Sequence, residues 1–336
     1  MTHRTLWLAA ALLTSVASAQ PADAPAAAPP VTLHEIALFY SGTAGPLPAP
    51  PALSSRPAER ALDLSPPDAL AERPLPESSA GAGSGTERAE TGGPRTEQQR
   101  AADRERPRTP VQAFIFVSAP ADSALEVTAR YPGGTPLAWT PAAQVVTDEP
   151  LLAWTGTVSA RVRLPRIDRD HFWAALRRLS PGAFSTGAAG SGERFLHHQG
   201  LIEVSAPFTV SRQGVSPSQV VVRAAGMERL LWLSVDGRVR RVRIPAGDSE
   251  LAVDLGASGG MELPAFRREL ERALEDRGLS TGEARAALAT WQTLLMSRDA
   301  HAIMLMPRNL LDRTLPLTAS PAPAELVRVA LLVQDL

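Results

Sequence analysis

Ser258 sits in Gly256-Ala257-Ser258-Gly259-Gly260, which fits the string G-x-S-x-G between an apolar run and a helical one. A nucleophilic serine in such an elbow is held on a sharp strand-to-helix turn, and an acid and a histidine complete the triad. Asp299 and His301 follow in the required Ser…Asp…His order. The surroundings argue for a plainer role. Met261 to Pro264 separates the glycines from the helix, His301 adjoins a strand, and the flanking pattern is not an alternating βα chain. A flexible joint between sheet and helix accounts for the same letters.

The histidines are the other residues able to do chemistry. In a strand, neighbours point to opposite faces, so His34 and Glu35 cannot share an ion, although His34 alone could join a site built from elsewhere. His197 and His198 meet the same difficulty if they lie in a strand, unless the preceding loop relaxes it. Asp168, Asp170 and His171 cluster at the expected start of a helix and could ligate a metal with a more distant histidine. They equally suit capping, where carboxylates favour the helix N-terminus. The zincin spacing H-E-x-x-H is absent. Metal candidates are therefore His34, Asp168, Asp170, His171, His197 and His198, and catalytic candidates are Ser258, Asp299 and His301. Neither set forms a coherent motif.

Arg238, Arg240, Arg241 and Arg243 could hold an anionic polymer, but charges along a strand also keep an exposed edge from pairing with other chains. Trp139, Trp154 and Trp232 could stack on sugars if exposed, although their leucine neighbours place them in a core. Ser180 to Gly192 is Gly/Ser-rich and is expected to be a loop; its glycines match no phosphate-cradling pattern, so no cofactor is expected.

Composition closes several chemistries. Among 336 residues, 34 Lys+Arg stand against 35 Asp+Glu for a net charge of -1, which lacks the basic footprint of a nucleic-acid binder. Every one of those cations is arginine, so Schiff-base chemistry and a P-loop lysine are excluded. With Cys 0, thiol nucleophiles, disulfides and thiolate metal sites are excluded as well.

Met1 to Arg4, the apolar run Leu6 to Val16 and the small residues Ala17-Ser18-Ala19 make residues 1–19 a signal peptide. The run is well short of the roughly 20 residues that span a bilayer. An exported protein, periplasmic or extracellular, with no membrane span in the mature chain is expected. Residues 20–31 read as a Pro/Ala tether, 32–44 as a first strand, and 45–110 as a disordered Pro/Gly/charged insert. Residues 111–260 form a β-rich region with a short helix at 168–179, its stripe being Phe172, Ala175, Leu176 and Leu179. The repeated Leu-Ala-Trp-Thr at 137–140 and 152–155 suggests neighbouring strands of one sheet. Asp236-Gly237 suits a type I′ hairpin turn. Residues 261–336 give a helical hairpin, with a capping box at Ser280/Glu283 and a stop at Gly278, followed by strands returning to a sheet. A short turn is expected between those strands, around Asn309 to Arg313. The fold class is α+β: mostly antiparallel, sandwich-like sheets with the hairpin packed on them.

Several stretches resemble a family of exported, uncharacterised bacterial proteins. Leu33-His34-Glu35-Ile36-Ala37-Leu38-Phe39 is similar to that family's Val-His-Glu-Trp-Gly-Thr-Phe opening. Thr109-Pro110-Val111 through Phe116 resembles its Thr-Pro-Val-x-x-Phe-x-Phe strand. Thr290-Trp291, Met306-Pro307-Arg308 and Leu315-Pro316-Leu317 keep the family's C-terminal order. The chain departs from it at Ile36, over Gln292 to Met296 and in the Pro-rich insert. The resemblance implies export and the fold above, and carries no activity. The expected function is a non-enzymatic cell-envelope module, binding or structural, whose partners would be envelope components or polysaccharide. The alternative is a secreted hydrolase using Ser258 or a His/Asp metal site.

Overall fold

The computed structural model describes residues 31–41, 108–119, 122–146, 149–159 and 162–336, except 163, 168, 170, 181, 188–191, 213–218, 225, 227–228 and 257–259. The expected leader, nearly all of the tether and the insert up to residue 107 lie outside the described residues. So do Asp168, Asp170 and Ser258.

A nine-stranded sheet forms the middle of three layers. In spatial order it runs β15 (Met261–Glu262), β13 (Arg238–Ile244), β12 (Arg229–Val235), β16 (His301–Leu305), β18 (Glu325–Asp335), β1 (Thr32–Ser41), β2 (Thr109–Ser118), β9 (Phe195–Ile202) and β4 (Thr135–Thr140). Its pairings are antiparallel except β1 with β18, which are parallel. Central strands of such a sheet are covered on both faces and read as nearly continuous apolar runs. β1 shows this. Leu33, Ala37 and Phe39 join one core, whereas Ile36, Leu38 and Tyr40 join the other.

The first core closes against two smaller sheets. One comprises β17 (Leu317–Ser320), β3 (Ser123–Arg130), β6 (Leu151–Ser159), β7 (Ala183–Ser185) and β8 (Gly192–Glu193), with β5 (Gln144–Val146) pairing β6. The other comprises β10 (Phe208–Arg212), β11 (Gln219–Ala224) and β14 (Ser249–Asp254). Leu125, Val127, Trp154 and Val222 meet the middle sheet here. The second core closes against α1 (Phe172–Leu176), α2 (Leu263–Glu275), α3 (Thr281–Thr290) and the single turn α4 (Gln292–Leu295). Phe266, Leu270, Leu274, Leu288 and Trp291 fill it.

The C-terminal elements form for the reasons their residues give. α2 ends before Gly278, whose φ of +99 suits a residue without a Cβ. α3 opens on a capping box: Glu283 N–H donates to Ser280 Oγ at 3.3 Å, and Ser280 N–H donates to Glu283 Oε2 at 2.8 Å. Asp236 and Gly237 take φ of 52 and 77 and join β12 to β13, as the hairpin signal requires.

Five expectations are corrected. The helix expected at 168–179 is the five-residue α1, capped by His171 and anchored by buried Trp173 and Leu176, with Phe172 only partly buried. The loop expected over 180–192 contains β7, and β8 begins at its end. The turn expected around Asn309 to Arg313 is the helix α5 (Arg308–Thr314), followed by β17. Trp139 and Trp154 belong to different sheets, β4 in the middle one and β6 in the other, and both pack into the core between them. The tether's last residue, Val31, is buried and accepts from Ala324 N–H at 2.8 Å.

Candidate functional site

Charge inside an apolar sheet must be paired, because stripping an ion of water costs several kcal/mol. Glu35 and Arg328 sit opposite one another on β1 and β18, both buried on the face covered by the six-stranded sheet. Arg328 Nε donates to Glu35 Oε2, Nη1 to Asp312 Oδ1 at 2.6 Å, and Nη2 to the Leu315 carbonyl at 2.5 Å. Burial opposes the guanidinium's charge, but Glu35 and Asp312 more than offset it and hold its pKa above the ordinary value. This fork joins β1, β18 and the end of α5.

Beyond β2 on the same face, the Tyr131 hydroxyl lies 2.5 Å from His198 Nδ1, and the Trp154 ring centroid is 5.8 Å from the imidazole. Burial first, and then the charge of Arg328, pushes His198 down to about 3. The ring is therefore neutral, and burial holds the Tyr131 phenol well above 10. With the phenol donating to Nδ1, the imidazole proton belongs on Nε2.

His197 points the other way, as strand alternation requires. Its Nε2 lies 3.3 Å from Gln112 Nε2, and Gln112 Oε1 accepts from Trp291 Nε1 at 2.8 Å. Phe114 and Trp173 pack on the ring at 5.0 and 5.3 Å between centroids. Burial and the neighbouring His198 push it down to about 3. Gln112 thus links a strand histidine to the end of α3.

The remaining candidates are placed separately. His34 Nδ1 is 3.0 Å from Glu283 Oε1, tying β1 to the first turn of α3. That hydrogen bond raises His34 against the opposing effect of burial. Burial alone would raise Glu283, but His34 and both Ser280 donors outweigh it and leave the carboxyl below its ordinary value. His171 Nδ1 accepts from Trp173 N–H at 3.2 Å, and its ring stacks on Phe172, so it caps α1. Among the described residues, no three of His, Asp and Glu are arranged to hold a metal ion.

Ser258 of the G-x-S-x-G string lies outside the described residues. His301 pairs with Ser234 of β12 on one side and Asp335 of β18 on the other, all three on the helix-covered face. Ser234 is 0% exposed and His301 1% exposed. Among the described residues, Ser234 Oγ and His301 Nε2 have no hydrogen-bond partner, while Asp335 accepts from the Tyr40 hydroxyl at 2.8 Å. Burial lowers the His301 pKa, opposed by hydrogen bonds to the main chain of Asp299 and Leu295. Asp299 thus meets His301 through its main chain.

The arginines of β13 are answered locally. Arg238 pairs with Glu262 at 2.7 Å, Arg241 approaches Glu269 at 3.6 Å, and Arg240 donates to the Asp254 carbonyl. A groove of about 450 Å³ opens where β10, β11 and β14 meet their loops, with Thr209, Arg223, Asp248, Ser249 and Glu250 on its walls. Arg223 and Glu250, opposite one another on the neighbouring strands β11 and β14, pair in its wall at 2.9 Å.

Sequence reasoning did not single out Ser234, Gln112, Tyr131 or Arg328. Arg328 carried a usable signal: one cation inside Leu326 to Val333, an otherwise apolar run, demands a buried anion. No protein-family model, curated protein or solved structure matches the chain.

Proposed function

We propose that this protein is an exported, non-enzymatic module of the cell envelope, serving a binding or structural role. The observation that carries the reading is how the interior polar groups are used. Glu35–Arg328–Asp312, Tyr131–His198, Gln112–Trp291 and His34–Glu283 each join separate elements, and none of them lines the groove at β10, β11 and β14. The N-terminal signal and the resemblance to exported bacterial proteins support the location. A ligand would meet the groove walled by Arg223, Asp248 and Glu250, where charges and hydroxyls can hydrogen-bond a hydroxylated polymer while Pro207 and Phe208 offer it an apolar side. Co-sedimentation of the purified protein with isolated envelope polysaccharide tests this. Retention lost in an R223A/E250A variant is expected, and retention unchanged by that variant removes the groove from the account.

A second reading, a serine hydrolase, is favoured by one feature: Ser234 Oγ and His301 Nε2 lie on paired residues and both lack partners among the described residues. Intact-mass analysis after treatment with a fluorophosphonate separates the two. The envelope-module reading expects no adduct, and a stoichiometric adduct abolished by S234A establishes the hydrolase.

A further inference from the structure

We infer that the slot between β18 and β2 is a strand-recognition site, which binds residues 31–41 noncovalently and would hold them with the connection to β2 cut. β1 occupies the interior of the nine-stranded sheet, hydrogen-bonded to β18 on one side and β2 on the other. Such a strand contributes more pairing than any edge strand, because both rows of its backbone groups are satisfied by the body.

The connection has an unusual length for its geometry. β1 and β2 are antiparallel neighbours with Phe39 opposite Val111, so a hairpin of two to five residues would join them. The chain instead leaves β1 at Ser41 and enters β2 at Thr109, about 67 residues later. Proximity in sequence therefore does little to bring this strand to its place. Recognition by the slot itself has to set position and register.

The slot has what such recognition needs. A one-residue slip turns every side chain of a strand to the wrong face. β1 carries a polar key on each face at adjacent positions: Glu35 meets Arg328 on one, and His34 meets Glu283 on the other. A slip in either direction would set Glu35 against the helices and leave buried Arg328 with Asp312 as its one remaining carboxylate among those it pairs with here. On either side of the keys, Leu33, Ile36, Ala37, Leu38 and Phe39 fill both cores. The interaction is thus strand addition at an interior site, in which backbone pairing gives affinity and alternating side chains give specificity.

The test uses the full chain with a site-specific protease sequence inserted between Gly83 and Ser84. After cleavage, gel filtration and intact-mass analysis at micromolar concentration should find the N-terminal piece co-eluting with the body, whose near-ultraviolet circular dichroism is unchanged. An isotopically heavy peptide of residues 31–41 in excess should then displace the native piece. The same peptide with Glu35→Gln should compete at least tenfold less well. Release of the N-terminal piece on cutting, collapse of the body's spectrum, or equal competition by the two peptides would each overturn the inference.

Discussion

Glu35 and Arg328 stand level on two parallel strands in the middle of the molecule, and each is the other's nearest opposite charge. Breaking a buried pair by removing one member leaves an uncompensated charge, at a typical cost of about 3–5 kcal/mol. Substituting Arg328→Met should therefore lower unfolding free energy by roughly that amount, read as a fall in the urea midpoint with little change in slope. Arg308→Ala, which removes the exposed pairing with Asp312 at 2.9 Å, should cost less than about 1 kcal/mol.

The His34–Glu283 contact predicts a pH window. His34 is raised above 6.5 on folding, so its contribution is complete below that value and disappears as pH climbs through the folded pKa. Glu283 is lowered below 4.5, so its contribution is complete above that value and disappears as pH falls through the folded pKa. Both act together between about 4.5 and 6.5. Urea unfolding of H34Q should thus show a larger deficit from wild type at pH 5.5 than at pH 8.5, and an equal deficit at both would contradict the contact.

The buried imidazoles of His197 and His198 act in the opposite direction. Unfolded, each takes a proton near 6.5; folded, each resists protonation until about 3. The unfolded state binds more protons between those values, so stability should fall on acidification by up to about 1.4 kcal/mol per pH unit for each ring. Imidazole resonances of both residues should remain at neutral-ring shifts down to pH 4.5. Movement of either resonance between pH 7 and 5.5 would show that its ring is not enclosed.

Gly200 lets Tyr131 reach His198. A Cβ at that position would lie 2.3 Å from Tyr131 Cε1 and 2.7 Å from the Thr135 carbonyl oxygen. Gly200→Ala should cost about 1–3 kcal/mol or more by forcing ring and strand apart. Tyrosine fluorescence and circular dichroism near 280 nm should change with it. A variant as stable as wild type would show that the ring is not packed against this strand.

Much of the scaffold could be read from local pattern, because local pattern is what formed it. The Asp236-Gly237 turn, the Ser280/Glu283 box and the stripe Phe266–Leu270–Leu274 depend on neighbours in sequence, and each was legible. The adjacent pairs His34-Glu35 and His197-His198 divide between two faces for the same reason. Sheet membership was less legible. Trp139 and Trp154 share a tetrapeptide, but their partners, β9 and β3, are chosen by long-range pairing. The polar pairings were hidden for that reason as well: Glu35 and Arg328 are 293 positions apart, and Gln112 and Trp291 are 179 apart. A lone charge in an apolar run shows that a partner is needed without saying which.

The account rests on interior polar side chains that fasten layers to one another. A double-mutant cycle at Glu35 and Arg328 measures this most directly, using E35L, R328M and E35L/R328M in urea unfolding at pH 7. Each single change should cost about 3–5 kcal/mol, and the double should recover most of the loss, because two apolar side chains replace a buried ion pair at little net cost. Single changes near zero, or a double variant that loses the sum of the two, would mean that these groups do not fasten the layers as a pair.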